Sequence, residues 1–294
     1  MQAPAIPFRK MNGLGNDFVV LDARPRALAL APDAVRAIAH RKEGIGCDQI
    51  IALEPSRNAD VFMRIWNADG GEVGACGNAA RCVAAVVAAE RNAADVSIET
   101  ASGVVGAVVN NDSSVTVDMG PPRLAWDEIP LAEPFHDTRR IELQIGPIDA
   151  PVLHSPSALS MGNPHAIFWV DNDVWSYELE RFGPLLENHP IFPERANITI
   201  AQVTSPETMI IRTWERGAGL TKACGSASCA AVVAAARTRR TGRSVTLMTP
   251  GGGTLHVEWR DDDHVILTGA AEWEFSGSFD PSTGSWARDT ESAA

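Results

Sequence analysis

A chain of 294 residues that is 45% hydrophobic carries enough apolar surface for more than one core, so a two-domain molecule is expected. Its formal net charge is −12, with no basic run longer than Arg237–Arg240; that argues against nucleic acid as a partner, because phosphate contacts require a dense Lys and Arg footprint. Five cysteines in so long a chain argue against a disulfide framework, and no apolar stretch approaches the length of a membrane span. The opening residues lack the apolar core of a signal peptide, so the expectation is a soluble, cytoplasmic protein.

In chain order, "GNDFVVLD" from Gly15 is β-branched and aromatic between turn residues, and reads as a strand. "APDAVRAIAHRKEG" predicts a helix, with Pro32 and Asp33 at its start and Gly44 past its end. "DVFMRIWNADG" reads as a strand entering a turn over residues 67–71. "GACGNAARCVAAVVAAER" places Cys76 ahead of an alanine-rich run that is apolar on all sides, which suits a buried helix. "VSIETASGVVGAVVNNDSSVTVDMG" predicts hairpin strands turning at "NNDSS". The style then repeats: "GNPHAIFWVD" from Gly162 and "MIIRTWERG" as strands, "KACGSASCAAVVAAAR" with Cys224 before a second buried helix, and "SVTLMTPGGGTLHVEW" as a strand pair. "GGG" at Gly251–Gly253 and "DDD" at Asp261–Asp263 read as hairpin turns, and no P-loop or dinucleotide fingerprint opens a helix. The final "SGSFDPSTGSWARDTESAA" is polar and unpatterned, and predicts a disordered or loosely attached tail.

Cys224 lies 148 residues after Cys76, Gly162 lies 147 after Gly15, and Thr249 lies 149 after Thr100. Three collinear matches with a period of half the chain point to an internal duplication rather than a short-repeat solenoid. The predicted fold is α+β, with two pseudo-symmetric domains, each a curved antiparallel-rich sheet wrapped around a central helix. The boundaries are set at 1–122, completed by 270–294, and 123–269. An interdomain cleft is the expected place for a ligand.

The spacing of Cys76 to Cys82 and of Cys224 to Cys229 exceeds the usual zinc knuckle, so no metal is expected. Cys47, Cys82 and Cys229 read as small buried core residues. Cys76 and Cys224 precede helix starts, where unpaired amides and the dipole favour negative charge. Their thiols are expected to ionise more readily than a free cysteine. The amides of Gly77–Asn78 and Gly225–Ser226 suit a carboxylate, and Asn78 and Ser226 suit capping. A single such cysteine is more simply an inert buried residue. Two matched copies, however, can work on opposite faces of one carbon, a thiolate removing the α-proton and a thiol returning one to the other face, which is what stereochemical inversion requires. A covalent cysteine mechanism with His165 as base leaves the second copy unexplained. Lys10, Lys42 and Lys222 are the only lysines, and none has a Schiff-base setting, so no pyridoxal cofactor, nor any other, is expected.

The segments "KMNGLGNDFVVLD", "GIGCDQ", "WNADGGEVGACGNAARC", "SMGNPHAIF", "FGPLLENHP", "FPERANI", "WERGAGLTKACGSASCAA" and "TPGGGTLHVEW" span nearly the whole chain, and together they resemble the diaminopimelate epimerases. The resemblance implies a pyridoxal-independent interconversion of LL- and meso-2,6-diaminopimelate by a homodimer. Cys76 and Cys224 match the family's acid/base pair. Gly77, Asn78, Gly225 and Ser226 match the positions that hold the reacting carboxylate. Asn16, Gln49, Asn67, Asn163, Asn197, Glu215 and Arg216 match its other substrate positions, and His165 and Glu215 match neighbours that tune the thiols. The chemistry agrees: a guanidinium fork suits the distant carboxylate, while a Glu and amide oxygens suit the distant ammonium. Taken alone, Glu215–Arg216 is an ordinary surface ion pair, and Asn16 and Asn163 are turn residues. Three features depart from the family pattern. Ser226, Ala227 and Ser228 stand where many members carry glycine or threonine around the second cysteine, and Ser226 still provides a backbone N–H for an anion. Leu220 stands where glutamate is frequent, and Phe275 stands where some relatives place a tyrosine at a dimer contact. The alternatives are a related racemase or isomerase of the same fold, or an amino-acid-binding protein without catalysis.

Overall fold

A computed structural model describes residues 5–74, 76–280 and 283–289. The chain divides into two compact units, Met1–Val117 with Ala270–Ala294, and Asp118–Gly269.

The first unit begins with β1 (Ile6–Asn12) and β2 (Asp17–Asp22), followed by α1 (Pro32–Ala39), β3 (Gln49–Glu54), β4 (Val61–Asn67) and β5 (Glu72–Val73). Then come α2 (Gly77–Arg91), β6 (Asp95–Thr100), β7 (Gly103–Val109) and β8 (Val115–Asp118). β2 pairs antiparallel with β1 and parallel with β3; β3–β4, β4–β5, β6–β7 and β7–β8 are antiparallel, and β4–β6 is parallel. β2 and β3 are buried on both faces, as a parallel pair requires. α2 packs on β4, β6 and β7. Its residues from Asn78 to Ala84 and from Val86 to Ala88 are buried, which explains its lack of a polar face.

The second unit holds β9 (Gln144–Ile145), β10 (Leu153–His154), β11 (Ser157–Ser160), β12 (Pro164–Trp169) and α3 (Leu179–Glu187). β13 (Asn197–Ser205), β14 (Thr208–Glu215), β15 (Gly219–Thr221), α4 (Gly225–Arg237), β16 (Ser244–Met248), β17 (Thr254–Trp259) and β18 (Val265–Gly269) follow. Its pairings reproduce those of the first unit: β12 antiparallel to β11 and parallel to β13, β14 antiparallel to β13 and β15 and parallel to β16, then the β16–β17 and β17–β18 hairpins. α4, buried from Ala227 to Ala235, packs on strands from β11 to β18 as the unit's central helix. The chain then returns to the first unit as β19 (Glu272–Phe279), antiparallel to β1, and β20 (Trp286–Arg288), antiparallel to β19. The duplicated α+β architecture thus holds strand by strand. The three predicted hairpin turns at "NNDSS", "GGG" and "DDD" lie between β7 and β8, β16 and β17, and β17 and β18.

Two local expectations need correction, and one helix was not anticipated. α1 stops at Ala39, because His40 is extended at φ −63 and ψ 120. Gly44 then folds back under the helix end, where a Cβ would lie 2.0 Å from the Ala37 carbonyl oxygen. α3 forms although Gly183 and Pro184 lie inside it. The tail is not structureless over its described residues. Trp286 packs edge-on against Phe8, with centroids 6.2 Å apart, and stacks on Phe275 at 6.4 Å, and this aromatic anchor holds β20 beside β19. The rest of the tail expectation, over residues 281–282 and 290–294, lies outside the described residues.

Candidate active site

In the first unit, Cys76 is the N-cap of α2, with extended backbone (φ −150, ψ 114), and its carbonyl accepts the Ala80 N–H at 2.9 Å. Gly77 is therefore the first helical residue. Asn78 lies in the first turn rather than capping it, a correction to the sequence reading. The Asn78 side chain is buried. Its Nδ2 donates to Asn16 Oδ1 at 3.4 Å, and its Oδ1 accepts from the fully buried Arg81 at 3.0 Å. Asn16 Nδ2 in turn donates to Asp48 Oδ2 at 3.0 Å. Gln49 and Asn67 face each other across β3 and β4, Gln49 Nε2 donating to Asn67 Oδ1 at 2.9 Å. Gln49 Oε1 is buried with no hydrogen-bond partner among the described residues. Asn16 and Asn78 thus meet at the start of α2, while Gln49 and Asn67 pair with each other across β3 and β4.

The second unit repeats the plan. Cys224 is the N-cap of α4 (φ −133, ψ 112), its carbonyl accepting the Ser228 N–H at 3.0 Å. Ser226, like Asn78, falls inside the first turn. A hydrogen-bonded chain leads away from the thiol. Cys224 Sγ lies 3.6 Å from Ser226 Oγ, Asn163 Nδ2 donates to Ser226 Oγ at 3.5 Å, and His165 Nε2 meets Asn163 Oδ1 at 2.9 Å. An amide oxygen only accepts, so Nε2 carries the ring hydrogen; Nδ1 is buried with no partner among the described residues. Within its unit His165 therefore reaches Cys224 through Asn163 and Ser226. Asn197 Oδ1 accepts the Arg216 N–H at 2.9 Å, and the Arg216 guanidinium donates to the Glu194 carbonyl at 2.9 Å. Position for position, the ladders pair Phe18 with Gln49 and His165 with Asn197. Asn67 and Glu215 close the corresponding strands β4 and β14.

Burial raises the thiol of Cys224 as it raises those of the core cysteines. Burial pushes the Cys224 thiol well above its ordinary range, and the negative charge of Glu215 adds to this. The Ser226 hydroxyl and the Ala227 N–H offset only part of it. The expectation of an easily ionised thiol fails here, because desolvation outweighs the helix N-terminus. Burial likewise pushes Cys47 and Cys82 up to about 12, in keeping with inert core residues. Burial, reinforced by the Arg216 charge, lowers His165 to about 3, so its ring is neutral at pH 7.

Two supporting groups escaped sequence reading. Asp48 holds Asn16, and it is part of a network in which Arg41 bridges Asp17 and Asp48 while buried Lys10 pairs with Asp17. Burial alone would raise the Asp17 carboxyl, but hydrogen bonds from Arg41 and Lys10 win and hold it well below the usual carboxylate range. Glu187, at the end of α3, accepts from Trp214 and Gly217. Both groups act through contacts distant in sequence, and nothing in the sequence around Asp48 or Glu187 marks those contacts. Among the described residues, no group of three or more His, Cys, Asp or Glu side chains could hold a metal ion, and no helix is long and apolar enough to cross a membrane.

Comparison with known proteins bears on the same residues. The family model for diaminopimelate epimerase matches twice, over residues 8–125 and 157–274, once in each half of the duplication. The chain is 68% identical to a diaminopimelate epimerase of Mesorhizobium japonicum over 99% of its length and 100% of that protein. It is 62% identical to one of Brucella anthropi over 97% of its length and 95% of that protein. Among solved structures, a hydroxyproline epimerase from Agrobacterium vitis superposes with a TM-score of 0.67 at 16% identity, covering 97% of this chain and 96% of that one, a likeness of fold. With a two-fold family match and relatives this similar along their whole length, the chain belongs to the diaminopimelate epimerase family.

Proposed function

We propose that the protein is a cofactor-independent epimerase that interconverts LL- and meso-2,6-diaminopimelate, with Cys76 and Cys224 as the acid/base pair. One observation carries the reading: the family match recurs in both halves, and each copy has a cysteine as the N-cap of a nearly all-buried helix. Inversion at carbon needs a proton removed from one face and supplied to the other, and a duplicated cysteine supplies one sulfur for each. In this reading residues 1–122 with 270–294 and residues 123–269 are the two epimerase domains, each contributing one cysteine to the reaction.

The α-carboxylate of the reacting end is held by the first-turn amides at Gly77–Asn78 and Gly225–Ser226, where the helix dipoles favour an anion. Those contacts also stabilise charge that grows on the carboxylate as the α-proton leaves. The thiolate on one face takes that proton; the thiol on the other protonates the planar carbanion, and the reverse reaction exchanges the roles. The distant ammonium suits acceptors such as Glu215, Asn67 and Gln49 Oε1, while the distant carboxylate suits Arg216, with Asn16, Asn163 and Asn197 completing the polar shell. His165 and Glu215 tune the thiols, Glu215 by its charge. The protein acts as a cytoplasmic homodimer in the formation of lysine and peptidoglycan precursors; light scattering on a sizing column tests the dimer.

The test of the reaction is incubation with LL-diaminopimelate in D₂O without added cofactor. Formation of the meso isomer with deuterium at one α-carbon is expected. Absence of exchange with either isomer overturns the proposal.

A further inference from the structure

Glu187 is 5% exposed, and a carboxylate this deep requires hydrogen-bond partners. It has three. Trp214 Nε1 donates to Oε2 at 2.7 Å, Gly217 N donates to Oε1 at 2.9 Å, and Arg195 Nη1 reaches Oε1 at 3.2 Å. Trp214 and Gly217 are the residues immediately before and after the Glu215–Arg216 pair, so one carboxylate grips the turn on both sides of it. The same helix supports the grip one turn earlier. At Gly183, four residues before Glu187, a Cβ would lie 2.4 Å from Trp214 Cδ2, so the indole lies flat against α3 where only hydrogen fits. Beyond the helix end the chain remains engaged, with the Glu194 carbonyl accepting the Arg216 guanidinium at 2.9 Å.

The first unit ties its corresponding turn to the preceding helix in its own way. There Arg36 of α1 donates to the Asp69 carbonyl at 2.8 Å, and Gly70 approaches Pro32 so closely that a Cβ would lie 2.9 Å from it. Both copies of the duplication thus fasten the hairpin turn after the second site strand to the helix before β3 or β13. Only in the second copy does a buried charge do it.

We infer that Glu187 is a positioning residue that fixes where the Glu215–Arg216 pair presents its charges. The inference rests on the reading of that pair as substrate-holding. Glutamine at this position keeps the shape but offers one acceptor oxygen and turns an N–H₂ towards an N–H donor, so one side of the grip is lost. Aspartate keeps both oxygens on a shorter arm.

The experiment uses the full chain as Glu187→Gln, Glu187→Asp, Arg216→Lys and the Glu187→Gln/Arg216→Lys double variant. Hydrogen–deuterium exchange read by mass spectrometry, without substrate, is expected to show peptides over residues 214–221 exchanging about tenfold faster or more in Glu187→Gln, with the strands of both units unchanged. In epimerisation assays, Glu187→Gln is expected to raise KM about tenfold with a smaller change in kcat, and Glu187→Asp to recover part of that loss. The double variant is expected to fall within about threefold of the worse single variant, because coupled residues do not add. Unchanged exchange over 214–221, an unchanged KM, or fully multiplicative losses each overturn the inference. If Glu187→Gln does not fold, Glu187→Asp decides by the same two measurements. A wild-type protein that fails to epimerise diaminopimelate defeats the functional reading instead, and the exchange measurement still decides the role of Glu187.

Discussion

Burial acts on Cys224 and His165 in opposite directions along the pH scale and leaves both neutral at pH 7: the thiol is pushed up and the imidazole down to about 3. For His165 the lowered value means that stability is complete above the unfolded value near 6.5 and is lost as pH falls towards 3, because the unfolded chain binds the proton first. Wild type should therefore lose up to about 1.4 kcal/mol per pH unit more than His165→Gln over that window; urea unfolding from pH 7 to pH 4 measures it, and parallel curves for the two proteins would contradict the burial argument. For Cys224 the charge on Glu215 adds to desolvation, so Glu215→Gln should move the pH at which Cys224 is alkylated downwards. Iodoacetamide labelling followed by peptide mass spectrometry reads this directly, and an unmoved midpoint would assign the whole effect to burial. The two N-cap cysteines differ from the core cysteines in what their loss removes. Cys76→Ala or Cys224→Ala should abolish net epimerisation, because each face needs its own group. Cys82→Ala, at a fully buried site in α2, should cost packing, about 1 kcal/mol of stability, and leave turnover largely intact. A folded Cys82→Ala as inactive as Cys76→Ala would break the pairing.

At the scale of elements, the contact between α3 and β14 is unusually exacting. Gly183→Ala would drive a methyl group into the Trp214 indole, whose Cδ2 lies 2.4 Å from the position of the new Cβ. The ring must move or the helix must lift, at an expected cost of about 1–3 kcal/mol. Urea unfolding measures the loss, and a KM raised without a matching fall in kcat would show that the displacement reaches the Glu215–Arg216 turn. α3 was illegible in the sequence for the same reason that it matters: Gly183 and Pro184 interrupt the helical pattern, and their use is visible only once Trp214 is beside them. α2 and α4 were legible because alanine-rich apolar runs ten or more residues long have few other uses. The strands β2 and β12 were legible because their flanking Gly–Asn turns recur. The cysteines stood out through the repeat. Glu187 and Asp48 did not, since a lone acidic residue carries no mark of the partners that bury it. Asn78 and Ser226 were found but lie two residues past the N-cap, because a cysteine took that position.

Across the whole molecule, the first unit is unfinished until the second has been traversed. β1 pairs with β2 on one side and, through seven residue pairs from Ile6–Phe279 to Asn12–Glu272, with β19 on the other. A duplication in which each half folded from its own continuous segment would need no such return, so the order of synthesis and the order of assembly differ here: β1 waits for a strand more than 250 residues away. Such long-range pairing is slow to form and leaves an open edge meanwhile. β19 closes the β1 edge in the finished unit, and β20 in turn covers part of the outer edge of β19, pairing Gly277 with Arg288, Ser278 with Ala287 and Phe279 with Trp286; its Trp286 is 37% exposed against Phe8 and Phe275. A chain ended after Asp280 keeps the β1–β19 ladder and both candidate half-sites but loses this cover. The apolar area that one partly buried tryptophan removes from water is worth roughly 1–2 kcal/mol, and the uncovered β19 edge should promote self-association. Thermal unfolding should show a lowered midpoint, and light scattering at raised protein concentration should show aggregation that the full chain does not. Specific activity of the soluble fraction should survive, since nothing in β20 belongs to the site residues. An unchanged midpoint would mean that Trp286 contributes no net packing, and a folded but inactive truncated protein would mean that the chain's end takes part in the chemistry.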